Sequence, residues 1–142
     1  MADFVHLTNK TEYSLSEGAL PITRIAELCQ SFSMPAVGIS DNNNMFGALE
    51  FSEQIAKVGV QPILGCNIKI KTPKEYLHEN IEDNDLYFYL NIFSKSSEGY
   101  ENLLKCISNA YTLNKGNAYV AIDDLIKFKE GLIILSGGNN SI

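Results

Sequence analysis

The sequence predicts an α/β fold with mostly parallel strands and flanking helices, and three observations carry that prediction. Short apolar runs alternate with stretches whose apolar residues recur every three or four positions. Gly, Pro, Asn and Asp punctuate the boundaries. The chain has 142 residues, 45% hydrophobic and 20% charged, which suits one ordinary domain with a core of its own. Alternating strands and helices of this kind pack as a layered sheet joined by right-handed crossovers.

Taken in order, residues 4–7 (FVHL) read as a short strand bounded by a polar stretch. A helix follows from about Pro21, where proline suits a first turn, and carries Ile22, Ile25, Ala26, Cys29 and Phe32 on one face. It ends at Met34-Pro35, because the residue before proline is pushed out of the helical region. Residues 36–40 (AVGIS) form the next strand, running into Asp41-Asn42-Asn43-Asn44, whose short polar side chains suit turns and caps. Residues 48–58 make a second apolar stripe, closed by Gly59. Residues 62–70 (PILGCNIKI) read as a strand, and residues 71–85 as an acidic connection that is either a surface excursion or a hairpin turn. The aromatic run 86–93 (LYFYLNIF) is a strand. Ser96 or Ser97 then opens a helix with Tyr100, Leu103, Leu104, Ile107, Ala110 and Tyr111 on its stripe. Asp123 or Asp124 caps a short helix, and residues 131–136 (GLIILS) are a last strand. Five strands make an open sheet or part of a barrel. A complete α/β barrel needs about 250 residues, so the chain is expected to end before such a barrel closes.

Composition narrows the function classes. Eleven Lys and Arg against seventeen Asp and Glu give a net charge of −6, which argues against an independent nucleic-acid binder. No apolar run approaches the ~18 residues of a membrane span. The N-terminus, MADFVHLTNK, has no apolar core after a basic start, so no secretory signal is expected and the location is expected to be cytoplasmic. Cys29, Cys66 and Cys106 are too sparse for a disulfide framework or a zinc site and read as reduced thiols packed as small hydrophobes.

Functional residues of a parallel sheet gather at the C-terminal ends of its strands. There are only two histidines, His6 and His78, too few for a multi-metal imidazole site, and Lys10 would repel a cation. His6 reads first as a core or rim histidine and second as a ligand. Asp41 reads first as a turn and cap residue and second as catalytic. Glu12 and Glu17 read as solvated loop residues, and residues 75–85 as a solvated acidic face or a partner-binding patch. Ser136-Gly137-Gly138 could make an anion nest, but lacks the lysine of a P-loop. Lys69, Lys71 and Lys74 form a basic strip too small to bind nucleic acid alone.

Five of these segments resemble a known family together and in order. FVHLTNKTEYSLSEG, PAVGISDNNNMFGALEF, PILGCNIKI, SEGYENLLKCISNAY and EGLIILSGG are similar to FVHLHxHTxYSLLDG, ALTDHxxMxGxxxF, PIxGxExYV, GYxNLxxLxSxAY and GLIxLSGC of the PHP (polymerase and histidinol phosphatase) domain at the front of bacterial DNA polymerase III alpha subunits. The resemblance runs from Phe4 to about Asn139. It implies a distorted (β/α)7 barrel, of which residues 1–142 are the first half. It also implies a parent polypeptide, a DNA-directed DNA polymerase (a nucleotidyltransferase), whose palm, fingers, thumb and magnesium-holding aspartates lie outside this chain.

Active members of the family bind metals at the barrel rim, and the ligands do not carry over. The H-x-H histidines fall on Thr8 and Lys10, and the following aspartate falls on Glu17. The D-H pair falls on Asp41-Asn42, the third-strand carboxylate on Asn67, the next histidine on Tyr89 and the last cysteine on Gly138. Metal ligands must be deprotonated N, O or S donors, which an ammonium, amides and a glycine are not. The resemblance therefore implies a segment with no catalytic residues, no cofactor and no metal. Its expected role is structural: supporting the rest of the alpha subunit and docking the separate exonuclease subunit, epsilon, with DNA reached only through the full polymerase and no membrane involved. The alternatives are a residual metal-dependent phosphoesterase or pyrophosphatase using Asp41, Glu17 and His6, and a non-functional split-gene fragment that associates through its open edges.

Overall fold

A computed structural model describes residues 4–73, 87–114 and 117–136. Helix α1 (Ile22–Ser31) precedes strand β1 (Ala36–Asn42), and α2 (Ala48–Lys57) precedes β2 (Gln61–Lys71). Then come β3 (Tyr87–Ser94), α3 (Ser97–Leu113), α4 (Ile122–Lys127) and β4 (Leu132–Leu135). Hydrogen-bonded neighbours run in the order β1-β2-β3-β4. The chain divides into two compact units at Cys66 and Asn67, within β2.

The predicted helices form because their apolar stripes find a core. In the first unit Ile22, Ile25, Ala26 and Cys29 of α1 meet Phe51 and Ile55 of α2 and Val37 and Ile39 of β1. Both helices end in the same motif. The N–H groups of Ser33 and Met34 return to Gln30 and Cys29, and those of Gly59 and Val60 to Ala56 and Ile55. The left-handed residue is Gly59 (φ 76°) in one case and Ser33 (φ 53°) in the other, so Gly59 stops α2 as its sequence position implies. In the second unit α3 packs on β3 and β4. Ser96 caps α3 by accepting the Gly99 N–H at 3.1 Å.

Several expectations are corrected. Residues 4–7 run alongside β1 without forming a regular ladder. Gly38 donates to His6 O at 2.7 Å and Ser40 to Asn9 O at 2.8 Å, so two residues of β1 face three of the segment. The extra residue is a bulge, and the Asn9 carboxamide bridges it by donating to both His6 O and Gly38 O. Within an arrangement expected to be mostly parallel, β3 and β4 are an antiparallel pair, from Asn91↔Leu135 to Ser94↔Leu132. Neither Asp123 nor Asp124 caps α4, which starts behind Ala121 without a side-chain cap. The described residues make a mixed α/β structure with a four-stranded sheet and flanking helices, in keeping with the α/β class expected. Most of the acidic connection, with His78 and Lys74, lies outside the described residues, as do Gly137 and Gly138.

All three cysteines are free and buried, in keeping with their reading as packed thiols. Burial, and then the charge of Asp124, push the Cys106 thiol up to about 11 from 9.0. Because its folded value is the higher one, its contribution to stability is whole below pH 9 and is lost as the pH climbs toward 11. Melting the chain across that window is expected to show a steeper fall in Tm than for Cys106→Ala. Parallel curves would refute the linkage.

Candidate functional site at the end of strand β1

Asp41 organises the C-terminal end of β1. Sequence reading ended the strand at Ser40 and gave Asp41 to a local turn; instead β1 continues through Asn42, and Asp41 is 1% exposed. Its carboxylate anchors a loop some thirty residues earlier in the chain. Thr11 N–H and Ser14 Oγ donate to Oδ1 at 2.7 and 2.6 Å, and Thr11 Oγ1 donates to Oδ2 at 2.7 Å. Burying a carboxylate is costly unless donors replace its water, and three short charge-assisted bonds do so here. The Asp41 carbonyl also accepts the Cys66 Sγ–H at 3.2 Å.

The loop is built to meet that carboxylate. Ser14 N–H returns to Thr11 O at 2.9 Å, and Ser14 O accepts Glu17 N–H and Gly18 N–H at 3.0 and 2.8 Å. Gly18 passes so close to Thr11 that an added Cβ would lie 1.9 Å from the Thr11 carbonyl oxygen, which requires glycine there. Thr11 and Leu20 pair as a parallel bridge that closes the loop. Ser16 (φ 67°) and Asn43 (φ 50°) both take left-handed backbone at this end of β1. The Asn44 carboxamide donates to Tyr13 O and Asn42 O at 3.1 and 2.9 Å, and the Asn42 N–H reaches Ser14 Oγ at 3.1 Å. Tyr13 OH donates to Glu50 of α2 at 2.9 Å, and that bond raises the phenol above its usual range.

Four of the residues singled out from sequence converge here: Lys10, Glu17, Asp41 and Asn42. Lys10 and Glu17 form an ion pair. The hydrogen bond from Lys10, followed by one from Asn42, holds the Glu17 carboxyl below its ordinary value. Glu17 is therefore paired, although its side chain is 55% exposed. An ion pair as open as this contributes at most about 1 kcal/mol.

The remaining candidates lie elsewhere. Thr8 and Glu12 are exposed. His6 is exposed too, which leaves the rim and not the core half of its reading, with its ring edge-on to Phe4 at 4.7 Å. Asn67 and Tyr89 belong to the second unit, where Asn67 donates to Asn91 across the strands at 2.9 Å. There Lys69 lies over the Tyr87 ring at 4.1 Å and Lys71 over Tyr119 at 5.2 Å, which turns the basic strip into a cation–π arrangement. Gly138 is outside the described residues. Thr11 and Ser14 escaped the sequence reading. The available signal was their shared spacing of three residues in a short polar loop, which only the distant Asp41 makes meaningful.

Metal binding is a test the donor set fails. Asp41 already receives three donors, Glu17 is held by an ammonium, and Lys10 brings a positive charge to the same place. Among the described residues no group of three or more His, Cys, Asp and Glu is arranged to hold an ion.

Comparison with known proteins adds the ancestry. The PHP domain profile matches residues 6–141. The DNA polymerase III subunit alpha of Rickettsia felis is 37% identical over 135 residues, covering 94% of this chain and 10% of that protein. Its counterpart from Haemophilus influenzae is 32% identical over 136 residues, covering 95% and 11%. The chain thus spans about a tenth of the length of these curated relatives. Among solved structures, one assigned as a metal-dependent phosphoesterase from Bifidobacterium adolescentis matches with a TM-score of 0.54 and 18% identity, covering 78% of this chain and 34% of that one. An amidohydrolase from Chromobacterium violaceum, with bound sulfate and no metal, matches at 0.54 and 14%, covering 75% and 32%. These two likenesses concern the fold alone.

Proposed function

The chain belongs to the PHP domain family, and from that premise we propose that it is the non-catalytic front segment of a replicative DNA polymerase III alpha subunit. The relatives that carry this reading are themselves named as that subunit. In it, residues 1–142 brace the polymerase modules that follow and offer a docking surface to the separate exonuclease subunit. DNA synthesis, with its magnesium, belongs to the longer polypeptide, which works in the cytoplasm. No helix among the described residues is long and apolar enough to cross a membrane.

The observation that supports a structural rather than hydrolytic role is the donor chemistry around Asp41. The carboxylate most suited to a metal is spent on Thr11 and Ser14. Thr8, Lys10, Glu17, Asp41, Asn42, Asn67, Tyr89 and Gly138 are then the vestiges of a ligand set, with their former roles lost by substitution.

The test is capture of the exonuclease subunit by the full polymerase polypeptide and by one lacking residues 1–142. Primer extension by the deleted protein checks that the remainder is folded. Capture by the intact polypeptide and not by the deleted one is expected; equal capture would sink the docking role. Stoichiometric Mn or Zn in the purified protein, with p-nitrophenyl phosphate turnover lost in Asp41→Ala, would instead establish the phosphoesterase reading.

A further inference from the structure

In the second unit, successive side chains of β2 and β3 go to opposite faces of the sheet. Ile68, Ile70, Phe88, Leu90 and Ile92 are buried on one face. The alternate positions are polar: Asn67, Lys69 and Lys71 on β2, and Tyr87, Tyr89 and Asn91 on β3. Residues 117–120 extend this polar face, because Lys71 N–H donates to Val120 O at 3.0 Å and Val120 N–H to Lys69 O at 2.9 Å. Tyr119 is thereby set beside Tyr87, with ring centroids 5.4 Å apart. The chain as a whole carries a net charge of −6, yet these positions hold two lysines and no carboxylate. Lys71 and Asn117 are exposed, and Lys69, Tyr87 and Tyr119 are half-buried.

Both ammonium groups are held in place. Lys69 Nζ lies 4.1 Å from the Tyr87 ring centroid and donates to Asn117 at 3.1 Å, and the Asn117 carboxamide donates to the Tyr87 hydroxyl at 3.0 Å. Lys71 Nζ lies 5.2 Å from the Tyr119 ring centroid. A lysine already held over a ring loses less side-chain freedom when it meets an anion. Two residues apart on one strand, the lysines are spaced by about 7 Å, comparable to the step between successive phosphates of an extended single strand. We infer that this face is a contact surface for a single-stranded nucleic acid, with Lys69 and Lys71 on consecutive phosphates and bases stacked against Tyr119 and Tyr87. Two ammonium groups alone hold a polyanion weakly, and the rings add base stacking, which tolerates any sequence. An acidic peptide matches the charge but brings no ring to stack, so the tyrosines favour the nucleic acid. The rival description is a strut whose contacts only fasten residues 117–120 to the sheet.

Fluorescence anisotropy of a short labelled oligothymidylate, titrated with the whole chain, reads the binding. At about 30 mM salt a dissociation constant on the order of 0.1–1 mM is expected, with log affinity falling against log salt at a slope of about −1.4, the value for two phosphate contacts on a single strand. Lys71→Gln is expected to weaken binding about tenfold and to flatten the slope to about −0.7, that of one contact. Tyr119→Leu, and an abasic strand of the same length offered to the parent chain, are each expected to cost at least about fivefold at an unchanged slope. Lys105→Gln, an exposed position of α3, is the control and is expected to bind as the parent does. Thermal melts check that each variant is folded; should Tyr119→Leu fail to fold, the abasic strand reads the stacking on the parent chain. No binding at millimolar chain, equal affinity for the abasic strand, or equal losses in Lys71→Gln and Lys105→Gln would overturn the contact surface. Displacement by polyglutamate as readily as by unlabelled oligothymidylate would show a general anion patch and overturn it as well.

Discussion

Replacing Asp41 with alanine is expected to destabilise the chain by about 3–5 kcal/mol, one of the two largest effects of any single substitution proposed for it. The side chain is fully buried and accepts from Thr11 N–H, Thr11 Oγ1 and Ser14 Oγ. Charge-assisted bonds to a carboxylate contribute roughly 1.5–3 kcal/mol each, and three donors would be stranded in the space that alanine leaves. Asp41→Asn separates charge from geometry. Its amide oxygen keeps the role of Oδ1, and the Thr11 hydroxyl can turn to accept from the amide nitrogen, so a loss of only about 1–2 kcal/mol is expected. Urea denaturation measures both, and hydrogen exchange at the Thr11 amide reports the loop directly. If Asp41→Ala melts within experimental error of the parent chain, the loop is not held by this carboxylate.

The second large effect belongs to Gly99, at the first turn of α3. An added Cβ there would lie 1.9 Å from the Gly131 carbonyl oxygen and 2.5 Å from its carbonyl carbon, both backbone atoms that no rotamer change can move. That carbonyl is already fixed by the Lys95 N–H at 2.9 Å. Gly131 is itself in left-handed backbone (φ 73°), and an added Cβ there would lie 2.5 Å from Ser96 Oγ and 2.6 Å from the Gly99 nitrogen. Gly99→Ala must therefore push α3 away from the turn that leads into β4. We expect a loss of about 3 kcal/mol, at the upper end for overpacking, measured by thermal or urea melts. Gly59→Ala is the comparison: it has open space around it and pays only for its positive φ, so about 1 kcal/mol is expected. Equal losses at the two positions would show that the Gly99–Gly131 contact is not a real constraint.

Both effects turn on contacts between distant parts of the chain, and this explains which features were legible beforehand. The helices could be read because their signals are local. Ile22, Ile25 and Cys29 recur at helical spacing, Gly59 supplies the left-handed stop, and Ser96 supplies an N-cap. The strands β1 to β4 were legible as apolar or aromatic runs, although their pairing was not. The antiparallel register of β3 and β4 depends on where β4 lands after two intervening helices, and no period within LYFYLNIF encodes that. Residues 4–7 misled for a related reason. Their composition is that of a strand, but a bulge filled by the Asn9 carboxamide breaks the ladder against β1.

The candidate site divides along the same line. Residue chemistry by itself shows that Lys10 brings a positive charge and that Thr8, Asn42 and Asn67 are uncharged donors where the resemblance calls for histidines or a carboxylate, because donor type belongs to the side chain wherever it is placed. The PHP profile over residues 6–141 confirms the ancestry on which that comparison depends. Only the tertiary structure could reveal what the surviving carboxylates do. Asp41 carries the same formula in a turn, a cap or a catalytic centre; its partners, Thr11 and Ser14, are 30 and 27 residues away. Glu17 reads as a solvated loop residue until the loop folds back and sets Lys10 and Asn42 beside it. Sequence determines which donors and charges are available, since these are properties of single residues. Folding decides which of them meet, because the energy of a charge depends on its neighbours and on how much water remains around it.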